Sequence, residues 1–370
     1  MQEHGVQSSE AGITLVELLV AMAIGVILAG GIFQVFVGSS DSYQMTTQLS
    51  RVQENGRFAM QILRQDVRGA GYLGCTQDVA NFFSTLNDGT EAQAFIFDYR
   101  NAIFGFSGIN VDEYKWRDNE NELDLAALNN KTGLNIQVTA AEDQRPLPGS
   151  DIIIVRGVES DEDLYLGEKM PDTSAVLRIS GKSSRLKKEG GDFLFVTDCQ
   201  GATLFQSTEY MESSLKIQHN PGNSVSPGNK DKYLGHPYSQ GSEFLFAKMA
   251  IYYVRNNQQG QPSLYMKRNL EPAIEIVEGV EMMKVRYGED TNNDGTVDVY
   301  VDAGNVDDWA NVRSVHIGLL LRTVGEMGRG PFDNQTYDVS GDGNADFGPA
   351  GDRRLRLVMS GNVGLRNRLR

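Results

Sequence analysis

Ala11-Gly12-Ile13-Thr14-Leu15-Val16-Glu17-Leu18-Leu19 places a single carboxylate at the rim of a long apolar run. From Leu18 to Phe33 no side chain is charged or strongly polar, and past Gln34 the run continues through Val35, Phe36 and Val37. At a rise of about 1.5 Å per residue, some 20 residues span roughly 30 Å, the hydrocarbon thickness of a bilayer. An ionised carboxylate at the edge of such a helix costs a few kcal/mol unless it reaches an interface or a cation, so it points to function and to a partner. The plainer alternative is a helix-end glutamate that snorkels to the headgroups.

Beyond Gly38 polarity rises while the helical period persists. Leu49, Val52, Ala59, Met60, Leu63 and Val67 recur at steps of one, three, four or seven, and Phe58 and Ile62 widen the stripe. Arg51, Glu54, Arg57, Arg64 and Asp66 fall on the other face. This pattern predicts one helix from Ile13 to about Val67, membrane-spanning in its first half, packed on a folded domain in its second, and stopped by Gly69-Ala70-Gly71.

After the helix, short apolar runs bounded by turns take over. Strands are expected at 150–157, 191–196, 249–254, 283–287 and 315–321, and a hairpin joins Ile251-Tyr252-Tyr253-Val254 to Ser263-Leu264-Tyr265-Met266 across Asn256-Asn257-Gln258-Gln259-Gly260. Ser207 to Gln240, rich in Ser, Asn, Gly and Pro, reads as an irregular surface excursion. No linker or repeat splits this part, so one elaborated α+β domain is expected.

The formal net charge is −15, and no basic stripe is available to neutralise phosphates, which argues against nucleic-acid binding. Two cysteines, Cys75 and Cys199, would meet an oxidising compartment if the chain is exported, and would then pair. Closing a loop of that length is worth on the order of 4 to 5 kcal/mol in the chain-entropy picture. The alternative is two buried free thiols. A cluster of Arg353, Arg354, Arg356, Arg366, Arg368 and Arg370 reads as an exposed strand face or a seat for an acidic neighbouring subunit.

The N-terminal stretch resembles the signal of type IV pilins and type II secretion pseudopilins: a glycine, a hydrophobic residue, Thr-Leu-x-Glu, then an apolar helix. The resemblance implies cleavage by a prepilin peptidase after Gly12, N-methylation of Ile13, and pairing of Glu17 with the terminal ammonium of a neighbouring subunit. Ile13 stands where phenylalanine is usual, and the leader holds Glu3 and Glu10 but no Lys or Arg, so orientation rests on the resemblance and not on charge. Losing the leader would bring the net charge from −15 to −13. A cleaved secretory signal, ending near Ala29-Gly30-Gly31, is the competing reading and lacks its basic start.

Within that class, Leu49-Ser50-Arg51-Val52-Gln53-Glu54-Asn55-Gly56-Arg57-Phe58-Ala59 followed by Gly69-Ala70-Gly71-Tyr72-Leu73-Gly74-Cys75 resembles the PilW-type minor pilins of type IV pili. So do Gly149-Ser150-Asp151, Thr197-Asp198-Cys199-Gln200-Gly201-Ala202, Val277-Glu278-Gly279-Val280-Glu281-Met282-Met283 with Tyr287-Gly288, and the tail from Gly361 to Arg368. The implied fold is α+β and type IV pilin-like: a long N-terminal α-helix with a transmembrane first half, packed on an elaborated, mainly antiparallel β-sheet domain. The implied organisation is a leader over 1–12, a helix over 13–68 (anchor 13–37, amphipathic half 38–68) and a globular domain over 69–370. The implied role is structural. The subunit would work with other minor pilins, a tip-associated adhesin, the major pilin, the prepilin peptidase, membrane lipid and the inner-membrane assembly platform. It would be held first in the inner membrane with a periplasmic domain and then at the pilus tip. Both cysteines fall inside matching motifs, which supports their disulfide. The rival readings are a tip adhesin domain with calcium-binding loops, and a minor pseudopilin of type II secretion, whose subunits are usually much shorter.

Two acidic loops carry the remaining chemistry. Asp290, Asn292, Asp294 and Asp298 place oxygens at the first, third, fifth and ninth positions of a loop with Gly295 at the sixth, the pattern that wraps oxygens around Ca²⁺. Asp338, Ser340, Asp342 and Asp346 repeat the spacing around Gly343. Neither loop has the bidentate Glu at its twelfth position, where Val301 and Pro349 stand, so the alternative is a pair of Asp-Gly turns. No catalytic constellation is legible. His219, His236 and His316 lie at no metal-ligand spacing, Gly181-Lys182-Ser183 lacks the glycine that a phosphate loop requires upstream, and there is no nucleophile elbow.

Overall fold

A Thr-x-x-Glu signature starts the first element. The computed structural model describes residues 14–75, 82–87, 89–119, 121–134, 144–171, 174–328 and 331–367. Helix α1 (Leu15–Gly69) begins at Thr14, whose hydroxyl accepts the Glu17 N–H while the Glu17 carboxylate accepts the Thr14 N–H, a reciprocal capping box. Its 55 residues extend roughly 80 Å. The most apolar 18-residue window has no buried residue, whereas Val52, Gly56, Ala59, Met60, Leu63 and Val67 are buried.

In chain order there follow β1 (Phe82–Ser84), α2 (Glu91–Ile96), β2 (Ile103–Asn110), β3 (Glu113–Arg117), β4 (Glu122–Asp124), α3 (Leu125–Thr132), β5 (Ile152–Tyr165), β6 (Val176–Arg178), β7 (Phe193–Thr197), β8 (Ala202–Gln206), β9 (Glu209–Met211) and β10 (Lys216–Gln218). The last third of the chain supplies β11 (Glu243–Asn256), β12 (Pro262–Arg268), β13 (Ile274–Glu278), β14 (Val280–Glu289), β15 (Val299–Val301), β16 (Val312–Arg322) and β17 (Arg356–Gly364).

These strands form a ten-stranded sheet in the order β1-β8-β7-β11-β5-β2-β3-β4, with β12 and β13 continuing from β11, a four-stranded sheet β15-β14-β16-β17, and a small sheet β6-β10-β9. Every pairing among the described strands is antiparallel except β1 with β8. The expected hairpin is β11 with β12, in register at Tyr252 opposite Met266. The stretch expected to be irregular from Ser207 contains β9 and β10, because Ile217 and Tyr210 pack into a satellite core with Leu177, Phe205 and Phe244.

The main core is continuous from α1 through both larger sheets. Gly56 is what lets the helix approach: a Cβ there would lie 2.9 Å from Leu321 Cδ1 on β16 and nearer still to Met359 Sδ on β17. Phe58, expected in the buried stripe, is 49% exposed, because the stripe that meets the sheet runs through Gly56, Ala59 and Met60. Asp66, expected on the solvent face, points into the domain instead.

The chain then turns at Gly71, and Cys75 bonds to Cys199, Cα to Cα 4.7 Å across a sequence separation of 124 residues. Thr197 at the end of β7 donates its hydroxyl to the Leu73 carbonyl beside this bridge, which ties the helix exit to the ten-stranded sheet.

Candidate functional site

The two halves of α1 have opposite surroundings. Leu15, Val16, Leu18, Leu19, Val26, Ile27, Ile32 and Phe33 are each more than half exposed, so no other described residue covers them. The rim carboxylate Glu17 uses one oxygen, Oε2, to accept both the N–H and the hydroxyl of Thr14 at 3.0 Å. Its second oxygen makes no hydrogen bond with the described residues. Gly12 and Ile13, where cleavage and methylation are expected, lie outside the described residues.

The second half is clamped to the domain by polar contacts as well as by its stripe. Asp66 accepts the Lys248 ammonium at 2.6 Å and the Tyr252 hydroxyl at 2.6 Å, both from β11, with the carboxylate 9% exposed. Burial, and then the Asp66 charge, hold the Tyr252 hydroxyl well above its ordinary range, so it stays a donor. Asn55 donates to the Glu278 carbonyl on β13 at 3.0 Å. The sequence signal for this clamp was faint: an acid one residue before the buried Val67 reads equally well as exposed.

Of the C-terminal arginines, the described Arg353, Arg354 and Arg356 do not form an exposed face. Arg356, with its side chain 1% exposed, bonds Glu281, Asp333 and Asp352 at 2.7 to 2.9 Å. Arg354 pairs with Asp352, and Arg353 stacks on Phe332. The network follows from burial: a guanidinium taken out of water needs several carboxylates around it. Arg366 alone of the described members lies exposed beside α1.

The two acidic loops share one wiring scheme. In each, the first-position carboxylate accepts the N–H of the fifth and sixth residues: Asp290 from Asp294 and Gly295, Asp338 from Asp342 and Gly343. The ninth-position carboxylate accepts the second N–H, Asp298 from Thr291 and Asp346 from Val339, and the fifth-position carboxylate accepts the seventh N–H. They differ in charge. Asp290 is paired with Arg313 at 3.1 Å; burial pushes its carboxyl up, and the Gly295 N–H, Arg313 and the Asp294 N–H outweigh that and hold it low. Asp338 has no cation partner among the described residues. The Asn344 N–H holds Asp342 below its usual range. Among the described residues no three His, Cys, Asp or Glu side chains converge as a metal cluster.

Residues 251–367 match the family described as Type IV Pilus-assembly protein W, and residues 7–33 match the prokaryotic N-terminal methylation motif. The last third of the chain is thus similar to the PilW family, and its N-terminus to the methylation motif. The PilW-matched stretch runs from the middle of β11 to the end of β17 and contains Leu321 and Met359, the residues that receive Gly56 of α1. The motifs at 49–75, 149–151 and 197–202 lie outside the matched residues. No curated protein matches the chain. Among solved structures, a type IV-like pilin from Thermus thermophilus is similar at 17% identity, covering 49% of this chain and 85% of that one, with a TM-score of 0.23. The PilW-type domain, the methylation motif and the bare apolar helix fit a membrane-anchored, pilus-associated protein whose partners are pilins and pilus machinery.

Proposed function

We propose that this chain is a structural, non-catalytic minor pilin that primes fibre formation as part of a tip-located complex with other minor pilins and a tip-associated adhesin. In this reading a prepilin peptidase cuts after Gly12, Ile13 is N-methylated, and the chain waits in the inner membrane, single-pass with its domain in the periplasm. It then leaves through its helix into a fibre headed by this complex and continued by the major pilin. The observation that carries the reading is the split of α1: an apolar half with no buried residue in its most apolar window, joined without a break to a half seated on the domain. Such a surface must be covered by lipid first and by neighbouring helices later. Glu17 keeps one carboxylate oxygen for a neighbour's ammonium. Deleting the gene tests this: loss of surface fibres is expected, whereas intact fibres with lost attachment would assign the domain to adhesion. Substituting Gly12 is expected to strand an uncut precursor in the membrane, and normal maturation of that variant would overturn the processing step.

The shared wiring of the acidic loops supports a second role, in which Asp338, Ser340, Asp342 and Asp346 hold Ca²⁺ at modest affinity, with Asp290, Asn292, Asp294 and Asp298 the weaker set. The order follows from charge, since Arg313 already neutralises Asp290. Calorimetric titration with millimolar Ca²⁺ tests it, and absence of heat removes it.

A further inference from the structure

A groove of about 1430 Å³ runs along the exposed side of α1 between the helix and β17. Arg57, Arg64 and Arg68 line it at helical steps of seven and four, and Arg366 faces them from beyond β17. All four are exposed. Arg57 is shared with Glu54, but Arg64, Arg68 and Arg366 have no hydrogen bond or ion pair among the described residues. The acid nearest to them in sequence, Asp66, is turned away to Lys248 and Tyr252. In a chain with 49 acids against 34 bases, three unpaired arginines around one groove form a local reversal of charge.

Three observations name the occupant. The charge selects an anion, and arginine forks favour carboxylate or phosphate. The outer edge of β17 has no partner strand among the described residues, so the groove also offers a backbone edge to an extended chain. Arg57 lies 20 residues beyond Val37, roughly 30 Å up the helix from the end of the apolar run. Screening at physiological salt falls off over about 8 Å, so anionic headgroups cannot supply the partner while the chain is anchored.

We propose that this groove seats an extended, carboxylate-bearing segment of a neighbouring pilus subunit, with Arg64, Arg68 and Arg366 reading its acids and β17 its backbone. The proposal rests on the minor-pilin reading above and adds to it which surface selects the neighbour.

Carbodiimide coupling reads this chemistry directly, because it joins amines to carboxylates in contact and leaves arginine untouched. Cells carrying the full-length chain with Arg64→Lys and Arg68→Lys keep the charge and gain the amines. After coupling, mass spectrometry is expected to find position 64 or 68 joined to an Asp or Glu of a different polypeptide, a link absent from the unsubstituted chain. The pair Arg64→Glu and Arg68→Glu is expected to cut incorporation into fibres about tenfold or more through like-charge contact, whereas the Lys pair, which keeps the charge but not the fork, is expected to cut it far less. Fibres that form normally with the Lys pair but carry no such link would overturn the groove assignment and leave the minor-pilin reading intact; fibres that survive deletion of the gene would instead remove that reading. Binding of a 20-base-pair DNA by the full chain in detergent micelles, lost in the Glu pair and unaccompanied by a carboxylate link, would assign the groove to nucleic acid and overturn the proposal.

Discussion

Glu17 and Thr14 cap each other: the Glu17 carboxylate accepts the Thr14 N–H at 3.0 Å and the Thr14 hydroxyl accepts the Glu17 N–H at 3.3 Å. The glutamate of the pilin signal is therefore also the third residue of a capping box. Its two possible duties separate by substitution. Glutamine can cap in the same geometry but carries no charge, so Glu17→Gln is expected to keep the helix start and to fail in pairing with a neighbour's ammonium. Thr14→Ala should do the opposite, loosening the first turn by about 1 kcal/mol while leaving the charge. Amide exchange of Leu15 to Glu17 in the full chain in micelles, set beside fibre counts, distinguishes the two. A Glu17→Gln chain that builds normal fibres would leave the carboxylate with capping alone.

The clamp on the second half of α1 gives a stability prediction. Asp66→Ala removes the acceptor of two β11 side chains and should destabilise the full chain by roughly 2 to 3 kcal/mol. Asp66→Asn keeps an acceptor for Tyr252 and should cost clearly less. The check is the denaturant midpoint of each variant in micelles. Equal midpoints for Asp66→Ala and the unsubstituted chain would show that the apolar stripe alone seats the helix.

Long-period features were legible in the sequence, and single contacts were not. The helix expected over 13–68 is Leu15–Gly69, and the hairpin expected around residues 251–266 is β11 with β12, because each is written in periodicity or turn chemistry over many residues. The bridge between Cys75 and Cys199 followed from their count and motifs. Thr14-Leu15-Val16-Glu17 carries the capping pattern openly, whereas the sequence reading of the acid offers a partner on another chain or a snorkelling helix-end glutamate and no cap. Phe58, Asp66 and Arg356 were misplaced because one residue's rotation about a helix, or its burial under a later strand, depends on packing that periodicity does not encode. The groove beside β17 brings Arg64 and Arg68 to Arg366 from the far end of the chain, which no local pattern records.

Calcium should distinguish the two acidic loops. The second loop is expected to bind first, so Asp338→Asn should remove most of the heat of a millimolar Ca²⁺ titration, and Asp290→Asn should remove little. In the first loop a cation must displace Arg313 from Asp290 before it can use that carboxylate. Arg313→Gln is therefore expected to strengthen binding there if the loop is competent. The reverse order, with Asp290→Asn the damaging change, would contradict the charge argument.

His219 gives the chain a built-in sensitivity to acid. Its ring is fully buried against Phe205, Nε2 donates to the Lys232 carbonyl at 3.1 Å, and Nδ1 has no partner among the described residues. Burial pushes its pKa down to about 4, against an outweighed upward pull from the Lys232 contact. The unfolded chain protonates this group near pH 6.5, while the folded chain resists until about 4. Between these values the unfolded state holds the extra proton, so stability present above about pH 6.5 is lost as the pH falls towards 4 and changes no further from this group below that. The buried carboxyls Asp151 and Asp192, whose pKa values are raised by burial, act in the opposite sense as they protonate, so the observable is a difference between proteins and not a single curve. Thermal unfolding of the full chain and of His219→Gln at several pH values between 7 and 4 should show a steeper fall for the unsubstituted chain, even if the variant starts lower. Parallel curves would mean that the imidazole takes up its proton in the folded state, which requires the orphan Nδ1 to reach water or a carboxylate.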